Sequence, residues 1–209
     1  MTAFAKDCLE EKTVLITGGL GAIGKAVVSA LLAHSGRVAV NDVLEVDQAV
    51  QLGKQLAWPA ERFVYVRADV TKPGGAEELV KRTLEAFGRL DVALCHAGMA
   101  CSCPILQYSE QEWDRIMDLN LKSAFLVAQA SARAMVERGI KGKIIFTSSW
   151  VQDVPWPGIT PYNVTKSGMK MLMRGMAREL AGNGIRVNAV APGIVGVGMG
   201  KRQWDTEPE

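Results

Sequence analysis

The chain has 209 residues, 48% of them hydrophobic and 22% charged, with a formal net charge of +2. That length and balance suit one sizeable core rather than two small ones. Acids and bases are interspersed and no apolar run is long enough to span a bilayer, so neither a nucleic-acid nor a membrane partner is expected.

The first eleven residues carry charges where a signal peptide needs an apolar core, and a cytoplasmic location is expected. Lys12–Thr17 is a short β-branched run that reads as a buried strand. It leads into Thr17-Gly-Gly-Leu-Gly-Ala-Ile-Gly24 and then the amphipathic stretch Ala22–His34. Glycines at such a turn let the backbone approach a pyrophosphate closely, and the helix start offers free N–H groups and a positive dipole end. Gly19, Gly21 and Gly24 spell G-x-G-x-x-G, a pattern that gains weight from its place between strand and helix. The next strand, Arg37–Asn41, runs into Asp42, eighteen residues beyond Gly24. A carboxylate there accepts both adenosine ribose hydroxyls and repels a 2′-phosphate. No arginine or lysine follows closely, so NAD is favoured over NADP.

The alternation continues through the helical pattern Asp47–Ala57, the strand Phe63–Ala68, the helix Gly74–Phe87 and the strand Asp91–Cys95. A long helical pattern at Glu110–Glu137 precedes the strand Lys143–Thr147, and the helix Tyr162–Ala181 precedes the strand Arg186–Val190. Strands alternating with helices imply right-handed crossovers and an α/β, doubly wound parallel sheet in a single domain over residues 1–209. The two longest connections, Ala97–Ser109 and Ser148–Pro161, both follow strands, so both belong at the carboxyl edge where such sheets bind ligands. The second carries Trp150, Pro155, Trp156 and Pro157, a stiff aromatic wall that suits either packing or a substrate pocket. Cys8, Cys95, Cys101 and Cys103 make no disulfide scaffold in a chain this long. With only two histidines, Cys101-Ser-Cys103 matches no usual zinc spacing, and no metal is expected.

Tyr162-Asn-Val-Thr-Lys166 carries the chemistry. A Tyr and a Lys four apart share one helical face, and the ammonium is expected to lower the phenol from its usual value of about 10. Ser149, thirteen residues earlier, arrives from a strand end with a hydroxyl able to hold a substrate oxygen. This is equipment for moving a proton while a cofactor moves a hydride.

Taken in order, the glycine turn Thr17–Gly24, Asp42, Ala68-Asp69-Val70, Ala97-Gly98, Asn120, Ser149, Tyr162 with Lys166, and Pro192-Gly193 resemble the short-chain dehydrogenase/reductase family. The resemblance runs from about Lys12 to Gly200 and implies a Rossmann-like fold. It implies that Tyr162 is the acid–base, that Lys166 holds the nicotinamide ribose and stabilises the phenolate, and that Ser149 binds the reacting oxygen. Asn120 would shape a local kink and hold a water that relays protons to Lys166, and an asparagine inside a helix is otherwise poorly placed. Gly18, Leu20, Ile23 and Gly24 would meet the cofactor at the turn. Asp69, with Val70 beside it, would accept from the adenine amino group. Ala97-Gly98 would let the chain run close to the cofactor, and Pro192-Gly193 and Val195 would lie along the nicotinamide. A small alcohol or carbonyl substrate and a homodimer or homotetramer are implied as partners.

Some positions depart from the family's pattern. Ala22 replaces a glycine, Cys95-His96 stands for Asn-Asn, and Val197 stands where a threonine often binds the carboxamide. His96 is read as hydrogen-bonding neighbouring strand ends, in preference to acting as a titratable group near the cofactor. The sequence stops at Glu209, so the domain is expected to be C-terminally incomplete and to lack the family's last strand. Two functions follow: an NAD-dependent oxidoreductase acting on a secondary alcohol or ketone, or a non-catalytic dinucleotide-binding regulatory or interaction subunit. Epimerisation or dehydration would use the same residues as the first.

Overall fold

Six short β-branched runs become the strands β1 (Thr13–Thr17), β2 (Arg37–Asp42), β3 (Phe63–Arg67), β4 (Val92–Cys95), β5 (Lys143–Thr147) and β6 (Arg186–Val190). The structure is a computed structural model and describes residues 5–198, 200, 201 and 205. Every pairing is parallel, and the strand order is β3-β2-β1-β4-β5-β6. Parallel strands need crossovers. These are supplied by α1 (Ala22–Ala33), α2 (Val46–Gln55), α3 (Gly75–Phe87), α4 (Glu110–Met117), α5 (Ser123–Glu137) and α6 (Thr160–Leu180).

Helices cover both faces of the sheet, which is why its strands read as near-continuous apolar runs. Leu15 and Ile16 are neighbours in β1 and both fully buried, yet they belong to different cores. Leu15 joins Leu79, Met135, Phe146 and Met169 from the side of α3, α5 and α6. Ile16 joins Val28, Leu32, Val40 and Trp58 from the side of α1 and α2. No helix among the described residues is long and apolar enough to cross a membrane.

The predicted helix Glu110–Glu137 is not uniform. Between α4 and α5 lies a π-helical turn, Asp118–Lys122, with Asn120 at its centre and fully buried. The extra residue in that turn is the distortion that Asn120 led one to expect. After β5, α6 begins two residues before Tyr162, with Pro161 in the first turn where a missing N–H costs nothing.

The strand order reverses between β1 and β4. At that switch point, beyond the carboxyl ends of the strands, a crevice opens between the loops that follow them.

Candidate active site

That crevice is a cavity of about 720 Å³. One end is built by the glycine turn. Gly18 has φ +65° and passes so close to the next loop that a Cβ on it would lie 2.9 Å from the Ala97 Cα. A Cβ on Gly24 would lie 2.5 Å from the Gly18 carbonyl oxygen. Only glycine fits either position, and the result is an open main-chain cradle at the start of α1. Gly18, Ile23, Asp42, Val70, Ala97 and Gly98 line the cavity, as expected. Leu20 and Gly24 do not: both are buried, and the Leu20 N–H donates to Asp42 Oδ2 at 3.1 Å. Asp69 also lies outside the lining, exposed, with Oδ1 accepting from the Thr71 N–H at 2.9 Å and the Thr71 hydroxyl at 2.6 Å. Those bonds hold its carboxyl below the usual range. Pro192, Gly193 and Val195 line the far end, where the Pro192 carbonyl accepts from the Trp150 N–H at 3.0 Å.

Ser149, Tyr162 and Lys166 meet on one wall. Ser149 caps a short 3₁₀ turn, Trp150–Gln152, and its hydroxyl hydrogen-bonds the Tyr162 phenol. Lys166 Nζ lies 5.2 Å from the Tyr162 ring centroid and donates to the Thr147 carbonyl at 2.7 Å. Asn120 stands behind them. Its Oδ1 accepts from the Met99 N–H and its Nδ2 donates to the Met99 carbonyl, both at 2.8 Å, and Nδ2 also reaches Thr165 Oγ1 at 3.3 Å. The π turn thus turns an interior asparagine into a clamp that holds the Met99 backbone against α6.

Comparison with known proteins shows the family and the fold. A family model described as short chain dehydrogenase matches residues 12–208. The chain belongs to the short-chain dehydrogenases. It is 35% identical over 191 residues to glucose 1-dehydrogenase 2 of Bacillus subtilis (strain 168), spanning 90% of this chain and 73% of that protein. It is 34% identical over 189 residues to L-2,3-butanediol dehydrogenase of Corynebacterium glutamicum, with 90% and 73% covered. A crystal structure of a short-chain type dehydrogenase/reductase from Mycobacterium marinum superposes with a TM-score of 0.88 at 33% identity, covering 94% of this chain and 78% of that one. The chain is therefore an oxidoreductase of a family that uses nicotinamide cofactors and small-molecule substrates.

Within this short-chain dehydrogenase the electrostatics differ from the expectation in one respect. The Tyr162 phenol is not lowered: burial raises it, and the Ser149 hydrogen bond offsets only part of that. The same burial lowers the Lys166 ammonium to about 8, and one of its three N–H groups donates to the Thr147 carbonyl. Spacing on a helix brings the two side chains together but says nothing of how dry their surroundings are.

The departures from the family pattern find their places. Ala22 is exposed, at the first position of α1 and on the cavity lining, so its methyl displaces no backbone of the turn. His96 ties strand ends together as read: its N–H and that of Ala97 both donate to Thr17 Oγ1 at 3.0 Å, and its Nδ1 lies 3.0 Å from Thr147 Oγ1.

Several site residues went unread. Thr147 and Met99 act through backbone groups, which no side-chain pattern reveals. Asn41 is buried and donates to the Val66 and Ala68 carbonyls at 3.0 and 2.9 Å, fixing the loop that carries Val70. Arg67 is a cation beside Asp42 that a search along the chain after Asp42 overlooks, because it arrives on β3 in register with Asp42. It is engaged by Glu45 at 2.7 Å.

Proposed function

We propose that this chain transfers a hydride between NAD and a secondary alcohol or ketone, with Tyr162 as the acid–base. The observation that carries the reading is the convergence of Ser149, Tyr162 and a buried Lys166 on one wall of the cavity that begins at the glycine cradle. The main-chain cradle and the Asp42 carboxylate at one end fit a dinucleotide, and bound there the cofactor supplies or accepts the hydride.

In the oxidation direction the Ser149 hydroxyl holds the substrate oxygen and Tyr162 takes its proton as the hydride leaves the same carbon. In reduction Tyr162 returns that proton to the oxygen. The Lys166 ammonium, on the same wall and 5.2 Å from the ring centroid, would stabilise the phenolate as it forms. Asn120 keeps the Met99 strip in place behind this set, and a water held there would return protons to solvent. Pro192, Gly193 and Val195 would run along the nicotinamide, with Val195 offering backbone groups. Leu20 and Gly24 would shape the turn from behind, and Asp69 would reach the adenine only from the exposed rim.

NAD is favoured over NADP because Asp42 faces the cavity while the neighbouring Arg67 is held by Glu45 in an exposed ion pair. Beyond the polar groups already assigned, the wall is apolar, with Met99, Trp150, Trp156 and Ile159; the two tryptophans pack edge to face at 5.7 Å. That favours a substrate with an alkyl or aryl body over a polyol. Exposed Phe125 on α5 and Val164 and Met171 on α6 suit burial against a second copy in a homodimer or homotetramer.

The test is NADH formation at 340 nm with NAD and a panel running from glucose and 2,3-butanediol to 1-phenylethanol. The reading predicts turnover that favours the aryl alcohol and depends on NAD more than NADP. NADH binding with no turnover on any member would favour the non-catalytic subunit instead.

A further inference from the structure

We propose that His96 is a positioning residue for Lys166, acting through Thr147, and that its charge makes the site sensitive to acid. The inference rests on the function proposed above. It goes beyond the strand-end ties, which the backbone N–H groups of His96 and Ala97 already provide on Thr17.

The imidazole makes a separate contact. Nδ1 holds Thr147 Oγ1 at 3.0 Å, and the carbonyl of the same threonine takes the Lys166 ammonium at 2.7 Å. Thr147 is the last residue of β5, where strand pairing ends, so its side chain gains a fixed rotamer from the ring. One residue thus stands between two titratable groups on the cavity wall. The ring also lines the cavity, so solvent protons reach it.

A neutral imidazole either donates to or accepts from the Thr147 hydroxyl according to its tautomer. An imidazolium can only donate, and it sets a second cation near a buried ammonium. The charged groups that bear on the ring are Lys166 from α6, which disfavours its protonation, and Asp42 from β2, which favours it; Tyr162 is the titratable group further along the wall. Burial is the largest influence, and together these hold the imidazole below its usual range. Among the described residues that line the cavity, Lys166 is then the one cation at neutral pH. In acid the His96 imidazolium makes a second, in surroundings dry enough for the two to repel. Coupling of this kind is reciprocal.

Two measurements test it. The chain has two histidines, so an NMR titration of the imidazole signals, assigned with His34→Gln, follows His96 directly without turnover. In Lys166→Met the His96 titration is expected to move up by about half a pH unit or more, since the repelling charge is gone. A His96 titration indifferent to Lys166→Met overturns the coupling.

The second compares pH–rate profiles for 1-phenylethanol with NAD. His96→Phe, which cannot hold Thr147, is expected to lose about tenfold in kcat with little change in the KM for NAD, the weight of one hydrogen bond. His96→Asn keeps a partner for Thr147 but no titrating ring. It is expected to recover most of that loss and to lack the acid inflection of the parent. Melting curves separate misfolding from mispositioning. A His96→Asn profile superimposable on the parent's, or a folded His96→Phe with undiminished kcat, contradicts the proposal. If the NMR coupling is present but no alcohol is oxidised, the functional reading fails while the link to Lys166 stands; turnover without coupling removes His96 alone.

Discussion

Lys166 is 3% exposed and the hydrogen bond to the Thr147 carbonyl does not replace the water that its ammonium gives up. Burial lowers it from its ordinary 10.5 to about 8. Between those values the unfolded chain holds a proton that the folded one has released, so stability rises with pH across that window and the full cost is present below it. The cost is about 3 kcal/mol. Lys166→Met removes it together with one hydrogen bond, so the variant should be more stable than the parent at pH 7 by about 2 kcal/mol. That advantage should vanish near pH 10. Urea unfolding at the two pH values checks this, and a variant less stable than the parent at pH 7 would show that the ammonium is not paying a burial penalty.

Asp42 poses a second test at the level of single residues. Its carboxylate accepts from the Leu20 and Val43 N–H groups while facing the cavity, and it stands in register with Arg67. Asp42→Ala removes the repulsion towards a 2′-phosphate and leaves Arg67 nearby. The ratio of kcat/KM for NAD over NADP should fall at least about tenfold, equivalent to about 1.4 kcal/mol. An unchanged ratio would mean that cofactor choice is set elsewhere.

Among the elements, the π turn Asp118–Lys122 does the most to shape the site. Asn120 satisfies both the N–H and the carbonyl of Met99 from a position with no exposure. Asn120→Leu leaves those two backbone groups without these partners, at an expected cost of about 2–3 kcal/mol, and loosens the strip Ala97–Ala100 that lines the cavity. Denaturant unfolding together with NADH affinity measures both effects; stability within about 0.5 kcal/mol of the parent would contradict the clamp. The strands were legible because a parallel sheet buried on both faces writes itself as short β-branched runs. The π turn was not. Its residues fit the amphipathic period of the helices on either side, and only the presence of Asn120 hinted at a distortion. The same limit explains why Tyr162, Lys166 and Ser149 could be read from spacing while the Thr147 carbonyl could not. Arg67 escaped because strand register, not sequence distance, brings it to Asp42.

For the molecule as a whole, the reversal of strand order between β1 and β4 sets the glycine turn and the Tyr162 wall around one crevice. A ligand that fills that crevice binds only the folded chain, so NADH at one hundred times its Kd should stabilise by about 2.7 kcal/mol and raise the melting temperature; NADPH at the same concentration should do less. The central claim is that the chain couples hydride transfer to a proton carried by Tyr162. Its most direct test is NADH formation from NAD and a secondary alcohol by the parent chain and by Tyr162→Phe, with NADH affinity measured for both. Loss of about 10²–10⁴-fold in kcat at preserved NADH affinity is predicted. A Tyr162→Phe chain that turns over at nearly the parent rate would contradict the account.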